Sequence, residues 1–481
     1  MKTVTKIHQM LLLNLINVGI VVFWSVDGAF MTNYLTKKEF CFSPFGLTDF
    51  QASIIMNIGQ VMIVLGVLFG YLSDRTRTAM GKRKPYMLSG AIIAAILYCL
   101  IPTTNSLVLV IALQVVVYFF IVWMAIPYYS MIPDVTPADK LSTCNAFWSL
   151  FAGIGTVVGY AVIGGILCDQ CAYPKLYRFL PFYATGGALL LFSILTVGTV
   201  REDTNYADAP EREKGGFGKW LVGLLAELKN HTDFCWFMVF NFFVWVGLQG
   251  FVKFFTRFMD SDMGVPLDTA ALALGLLPIV LMVFAVPVGI LGDKLNRKKF
   301  LLFGVILTAA AMFAGYLLIP PNVNTGGAAV REAATRQAAV EKYDYQACLN
   351  GNPDACRAES SNMLGKIGLL REEPLKTTAF TLGFASAGLC VVFILMAAIA
   401  PTLMPQDKIG EYMGLLSAST GLGSFFGLGL SGYFSTLLLN SIHCRVIFII
   451  GVAFLVIAAA VLAAKVNIKN AWELAEEQQA Q

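Results

Sequence analysis

Charged side chains are scarce in this chain: of 481 residues only 13% are Asp, Glu, Lys or Arg, while 57% are apolar and 12% aromatic. That is about half the charged fraction of an ordinary soluble domain. It excludes a soluble enzyme, a nucleic-acid binder and a disordered protein. Also missing are short alternating polar and apolar segments of about ten residues, which excludes a membrane barrel. Hydrolase, nucleotide and metal-site motifs are lacking as well, so no enzyme activity, cofactor or metal is expected. What is present is a series of runs of Leu, Val, Ile, Phe, Ala and Gly, each long enough to cross a hydrocarbon core, for which about 20 residues suffice.

The runs lie near 10–35, 47–72, 86–103, 106–130, 142–167, 178–200, 232–257, 268–291, 300–320, 377–404, 412–438 and 445–466. They predict an all-α polytopic membrane protein of twelve transmembrane helices, with both termini on one side. The first run is too long for a secretory signal and is expected to remain as helix 1. Lys and Arg crowd the segments that an inside amino terminus makes cytoplasmic, such as Arg75, Arg77, Lys82, Arg83, Lys84, Lys294, Arg297, Lys298 and Lys299. The short outer loops hold only Lys37, Lys38, Lys175, Arg178 and Arg445, so cytoplasmic termini are expected in a plasma (bacterial inner) membrane. The sequon Asn230-His231-Thr232 then faces inward and is expected to be unused.

No cysteine falls in a cytoplasmic loop. Cys41, Cys168, Cys171, Cys348, Cys356 and Cys444 lie in outer loops, where disulfides persist. Cys348–Cys356, Cys168–Cys171 and Cys41–Cys444 are the expected bridges. A zinc or redox role for the C-x-x-C of Cys168 and Cys171 is the alternative, without a second ligand pair to support it.

The chain repeats itself. Gly70-Tyr71-Leu72-Ser73-Asp74 recurs as Gly289-Ile290-Leu291-Gly292-Asp293. Pro133, Asp139, Lys140, Gly153, Gly155 and Gly159 recur as Pro401, Asp407, Lys408, Gly421, Gly423 and Gly427 at one larger offset. The expected units are an N-terminal half (1–200), a cytoplasmic linker (201–231), a C-terminal half (232–466) carrying an external insertion (321–376), and a tail (467–481). Such parallel halves build alternating access around a central site in many secondary transporters. The repeated glycines could suggest nucleotide binding beside a strand, but inside spans 5 and 11 they read as close-packing positions. Ala328 to Ala347 of the insertion reads as a surface helix; a lid, a docking element and a passive decoration are all open to it.

The segment from Gly70 to Tyr86, with Asp74, Arg75, the second Gly81 and the ending Lys84-Pro85-Tyr86, resembles the loop signature of the major facilitator superfamily. Its basic-Pro-aromatic ending, and Ile126-Pro127-Tyr128-Tyr129-Ser130-Met131-Ile132-Pro133-Asp134, are similar to the glycoside-pentoside-hexuronide:cation and sucrose:proton symporters. The resemblance implies the two-half major facilitator fold and a sugar substrate. Gly66, Met62 and Ala125 occupy positions that are acidic in the sodium-coupled members, and their side chains offer a hard cation no oxygen, so protons are the expected coupling ion. Span 11 also lacks the family's membrane lysine.

Gly70, Asp74, Arg75, Gly81, Asp293, Lys294 and Arg297 form the expected cytoplasmic gate, the carboxylates pairing with a neighbouring helix end in one state only. For Lys82, Arg83, Lys84, Lys298 and Lys299 a purely topogenic role is the preferred reading. Within the membrane, Asp27 in helix 1 and Lys253 in helix 7 stand at comparable depth and are the candidate proton-coupling residues, as a pair across the cavity. The competing readings are a static pair, or Lys253 snorkelling with Arg257. Asn57, Gln60, Asn241 and Gln249 are candidate hydroxyl-recognising amides; Asn14, Asn17 and Gln114 belong to the same set. Trp24, Trp123, Tyr128, Tyr129 and Trp245 are candidate stacking rings for a sugar face. Helix glue and interface anchoring are the bland alternatives.

The expected function is therefore proton-coupled transport of a glycoside or disaccharide by a monomer in the lipid bilayer. An amphiphile such as a lysophospholipid on the same fold is the alternative, and a non-transporting sensor or assembly factor the second.

Overall fold

The computed structural model describes residues 4, 6–27, 31, 34–35, 45, 47, 49–159, 163, 179–202, 204, 217–261, 276–319, 375–405, 408–437, 445–470 and 473. The side chains of Lys253 and Arg257, the cysteines at 41, 168, 171, 348, 356 and 444, and the insertion helix at 328–347 lie outside the described residues.

The twelve membrane helices are α1 (Ile7–Val26), α2 (Asp49–Val64 continuing as Gly66–Arg75), α3 (Lys84–Leu100), α4 (Leu107–Val135), α5 (Leu141–Val157) and α6 (Leu180–Thr199), then α7 (Thr232–Ser261), α8 (Leu276–Lys294), α9 (Arg297–Leu318), α10 (Leu375–Ile399), α11 (Ile409–Leu437) and α12 (Val446–Lys465). A linker helix, Phe217–Glu227, joins the halves. Among the described residues nine helices are long and apolar enough to span a bilayer, or ten with α2, whose parts meet at 41°. Length follows from composition: Val108 at 78%, Phe380 at 64% and Leu317 at 62% exposure give the bundle an apolar outside, which only lipid solvates without cost.

Two hydrophobic cores, one in each half, organise the packing. In the first half α1 packs on α5 and α6, and α3 on α4 and α6; in the second α7 packs on α11 and α12, and α9 on α10 and α12. The halves meet through α2 against α11 and α5 against α8. These are equivalent contacts in the repeat.

The repeated glycines are where backbones touch. A Cβ at Gly155 would lie 2.8 Å from the Val18 carbonyl of α1, and one at Gly423 would lie 2.6 Å from the Phe242 carbonyl of α7. At the interface, a Cβ at Gly153 would lie 3.1 Å from Pro278 O of α8, and one at Gly421 would lie 2.9 Å from Gln60 O of α2. Small residues admit such approaches where no hydrophobic force drives helices together.

Candidate functional site

At the end of the bundle that carries the 2–3 and 8–9 connections the halves are in contact. Asp74 closes α2 and reaches the start of α11, where its Oδ2 accepts the Glu411 backbone N–H at 2.8 Å. Asp293 closes α8 and reaches the start of α5. There it accepts Ser142 N–H at 3.2 Å, Thr143 N–H at 2.9 Å and the Thr143 hydroxyl at 2.7 Å. Each half thus places a carboxylate on the first turn of a helix from the other half, where four N–H groups lack intrahelical partners and the helix dipole favours negative charge. Gly70 has to be glycine here: a Cβ would overlap the Gly410 carbonyl.

Arg83, not Arg75, is the cation on Asp74, and its reading as a topogenic charge is corrected. It is fully buried, donating to Asp74 Oδ1 at 2.5 Å, Ser73 Oγ at 2.5 Å and Asp134 Oδ2 at 3.1 Å. Lys82 adds a 3.0 Å pair to Asp134. Burial works to lower the Arg83 pKa, but Asp74, Asp134 and Glu202 together outweigh it and raise the value above the ordinary one. Glu202, just past α6, accepts the Lys82 and Arg83 backbone N–H groups at 2.9 and 3.1 Å. Burial raises the Glu202 pKa above its ordinary value, and these bonds and Arg83 only partly offset that. Gly81 makes the turn possible, with φ of +107° and no room for a Cβ beside the Glu202 carboxylate. Arg75 instead lies over the Tyr71 ring at 4.1 Å, and Trp220 of the linker helix packs on that ring from 4.1 Å.

The second half repeats the device with fewer acids. Arg297 is fully buried and bonds Asp293 Oδ1 at 3.0 Å and Ala138 O at 3.0 Å. Asn470 stands where Glu202 does, accepting the Arg297 backbone N–H at 3.3 Å. The Nε and Nη1 groups of Arg297 have no hydrogen-bond partner among the described residues. Lys294 is exposed, and among the described residues the ion pair to Asp293 is made by Arg297, not Lys294.

Deeper in the first half, Asp27 is 2% exposed at the end of α1. Gln114 Nε2 donates to its Oδ1, and the Tyr118 hydroxyl donates to its Oδ2 at 2.5 Å. Tyr118 also stacks on half-buried Trp24, with ring centres 5.7 Å apart and 12° between planes. In the second half half-buried Trp245 of α7 stacks on Phe393 of α10 at 5.7 Å and 27°. The two aromatic pairs occupy equivalent helices, α1 with α4 and α7 with α10. Gln249 shares the face of Trp245 one turn on. Asn57 and Gln60 are half-buried on α2, and Gln249 is buried on α7.

Three other candidates serve packing. Trp123 turns to α2 and α3, bonding Ser89 Oγ at 3.2 Å and packing on Phe69. Tyr128 is fully buried and donates to Asn14 Oδ1 at 2.8 Å, joining α4 to α1. Asn241 bonds Thr420 Oγ1 at 3.0 Å and Ser419 Oγ at 3.2 Å, joining α7 to α11. Tyr129 is half-buried with its ring against Trp148. Sequence reasoning missed Tyr118, Phe393 and Glu202. Tyr118 lies one turn beyond Gln114, and Phe393 lies on the equivalent helix of the second half.

A sucrose transport protein of Oryza sativa subsp. japonica is 23% identical over 295 residues, 51% of this chain and 54% of that protein. One of Arabidopsis thaliana is 23% identical over 339 residues, 61% of this chain and 64% of that protein. The chain thus spans roughly half to two thirds of the length of these relatives. Among solved structures, a proton:xylose symporter bound to 6-bromo-6-deoxy-D-glucose superposes with a TM-score of 0.66 at 13% identity, covering 96% of this chain and 97% of that one. The Major Facilitator Superfamily model matches residues 14–331, well over half of the sequence. With its two pseudo-symmetric halves of six helices, the chain belongs to the major facilitator superfamily.

Proposed function

We propose that the chain is a secondary transporter that carries a glycoside or disaccharide by alternating access, driven by protons. The observation that carries this reading is the buried Asp27 carboxylate, held by Gln114 and Tyr118 on the back of the Trp24–Tyr118 stack. A sugar offers an apolar CH face to such rings and hydroxyls to amides such as Asn57, Gln60 and Gln249. The Trp245–Phe393 pair supplies the matching wall from the other half. The names of the sucrose transport proteins point the same way.

Asp27 is the proton carrier in this reading, with Lys253 of α7 as its candidate partner across the halves. Sodium is disfavoured because the side chains of Gly66, Met62 and Ala125 offer no oxygen, and the Gly66 carbonyl is packed against α11, 2.5 Å from where a Cβ at Gly414 would sit. By the positive-inside rule the closed end faces the cytoplasm with both termini, in a plasma or bacterial inner membrane. The units are the halves 1–200 and 232–466, the linker 201–231 and the tail 467–481, and the transporter acts as a monomer. Bridges between Cys348 and Cys356, Cys168 and Cys171, and Cys41 and Cys444 belong to the outer side.

The test is alkalinisation outside proteoliposomes on addition of disaccharides, monosaccharides and lysolipids. A sugar signal is expected, lost in Asp27→Asn while counterflow exchange persists. A signal from lysolipids alone would replace the substrate class, and gradient-driven accumulation by Asp27→Asn would remove Asp27 from the proton path.

A further inference from the structure

Among the described residues, Gln114 donates to one oxygen of Asp27 and Tyr118 to the other. Gln114 is fully buried, yet its carbonyl Oε1 has no hydrogen-bond partner among the described residues. The same holds for the hydroxyl of fully buried Tyr98 in α3, which lies within electrostatic reach of Asp27. Buried polar atoms are normally satisfied, so a spare acceptor on the side chain that holds the carboxylate asks for a donor. An ionised carboxylate accepts only, whereas its acid also donates one hydrogen bond. The terminal torsion of a glutamine is broad and two-fold, so its amide can exchange donor for acceptor in place, and a phenol hydroxyl rotates freely. An arginine or lysine at position 114 would donate only, and would hold Asp27 ionised.

We propose that Gln114 and Tyr118 are positioning residues that serve Asp27 in both protonation states. In the ionised state both donate to the carboxylate, as the structure shows. When Asp27 takes a proton from water, the Gln114 amide turns and Oε1 accepts the new O–H; when the proton returns to water, the amide turns back. Only the O–H bond to the travelling proton forms and breaks. The proposal rests on Asp27 as proton carrier. Tyr98 of α3 and Tyr118 of α4 are titratable groups facing it among the described residues, and the sequence places Lys253 of α7 at comparable depth.

Potentiometric titration of purified protein tests this without any substrate: the difference between a protein and its Asp27→Asn counterpart isolates the proton bound at Asp27. Tyr118→Phe keeps the ring on Trp24 and removes only the hydroxyl; Gln114→Met keeps the length and removes both amide functions. A hydrogen bond to an ionised group is about twice as strong as a neutral one, so each loss weakens the ionised state more than the acid. The midpoint of the difference curve is expected to move alkaline by about one pH unit in each variant. Midpoints that stay within the scatter of the unaltered protein in both variants overturn the proposal. The carrier reading fails separately, through accumulation by Asp27→Asn in proteoliposomes, so the two failures are distinguishable.

Discussion

Replacing Asp293 by Asn removes the charge from a carboxylate that serves both halves at once. Across the interface it accepts three hydrogen bonds from the first turn of α5, and within its own half it holds Arg297. A charge at a partly buried helix start contributes up to about 2 kcal/mol, which the amide forfeits while keeping one acceptor. Losing about 2 kcal/mol from the closed end alone shifts the closed-to-open ratio roughly 30-fold. The second consequence falls on Arg297, whose Nε and Nη1 already have no hydrogen-bond partner among the described residues. Breaking a buried ion pair by removing one member costs about 3–5 kcal/mol. That cost burdens open and closed states alike, so it appears as lost thermal stability. Asp74→Asn is the internal control, because Arg83 keeps Asp134 at 3.1 Å and has Glu202 close by. Nitroxide labels at the exposed positions Ala79 and Leu295, on the two sides of the closed end, report the separation of the halves by pulsed electron resonance. Both variants are expected to gain a long-distance population, and Asp293→Asn to lose more thermal stability. Unchanged distance distributions in both variants, or a greater loss of stability in Asp74→Asn, would refute the reasoning.

Glu202→Gln removes a carboxyl whose pKa burial raises above 4.5. A raised carboxyl contributes its stability below the ordinary value and loses it as pH rises through the folded value. Thermal unfolding of the Gln variant is therefore expected to match the parent in acid and to exceed it increasingly as pH climbs above 4.5. Trp24→Ala and Trp245→Ala each remove one wall of the aromatic cradle and are expected to weaken sugar binding roughly tenfold by calorimetry, from about 1–1.5 kcal/mol of ring contact. Trp123→Phe, on the far side of α4, is expected to leave it unchanged.

The spans, the repeat and the close-packed glycines were legible because bilayer thickness and helix contact impose them on composition and spacing alone. The gate aspartates were legible through the repeat. Arg297, the cation on Asp293, was legible with them, but the cation on Asp74 was not: Lys82, Arg83 and Lys84 are three consecutive basic residues, and nothing in their order shows which turns inward. That choice is made by the left-handed turn at Gly81 and by Glu202, which is distant in sequence. The pairing of Asp27 with α4 was likewise hidden, since depth along a helix fixes height but not the direction a side chain faces. Tyr128 and Asn241 carried the right chemistry for a ligand and spend it on neighbouring helices.

The seam between α2 and α11 runs from the Gly70–Gly410 contact to Gln60 against Gly421. Ten residues at 1.5 Å each make it about 15 Å deep, half of a hydrocarbon core of about 30 Å. Membrane voltage falls mainly where water is excluded, so a seal of that depth takes a share of the field across itself. Asp27 lies about 30 Å along α1 from its start at the sealed end, past the seam. A proton reaching it from the end opposite the seam would cross none of that share. That share of the electrical work of transport, which totals about 2.3 kcal/mol per charge for each 100 mV, would then be done when the seam changes ends, so that turnover would be voltage-sensitive at that step.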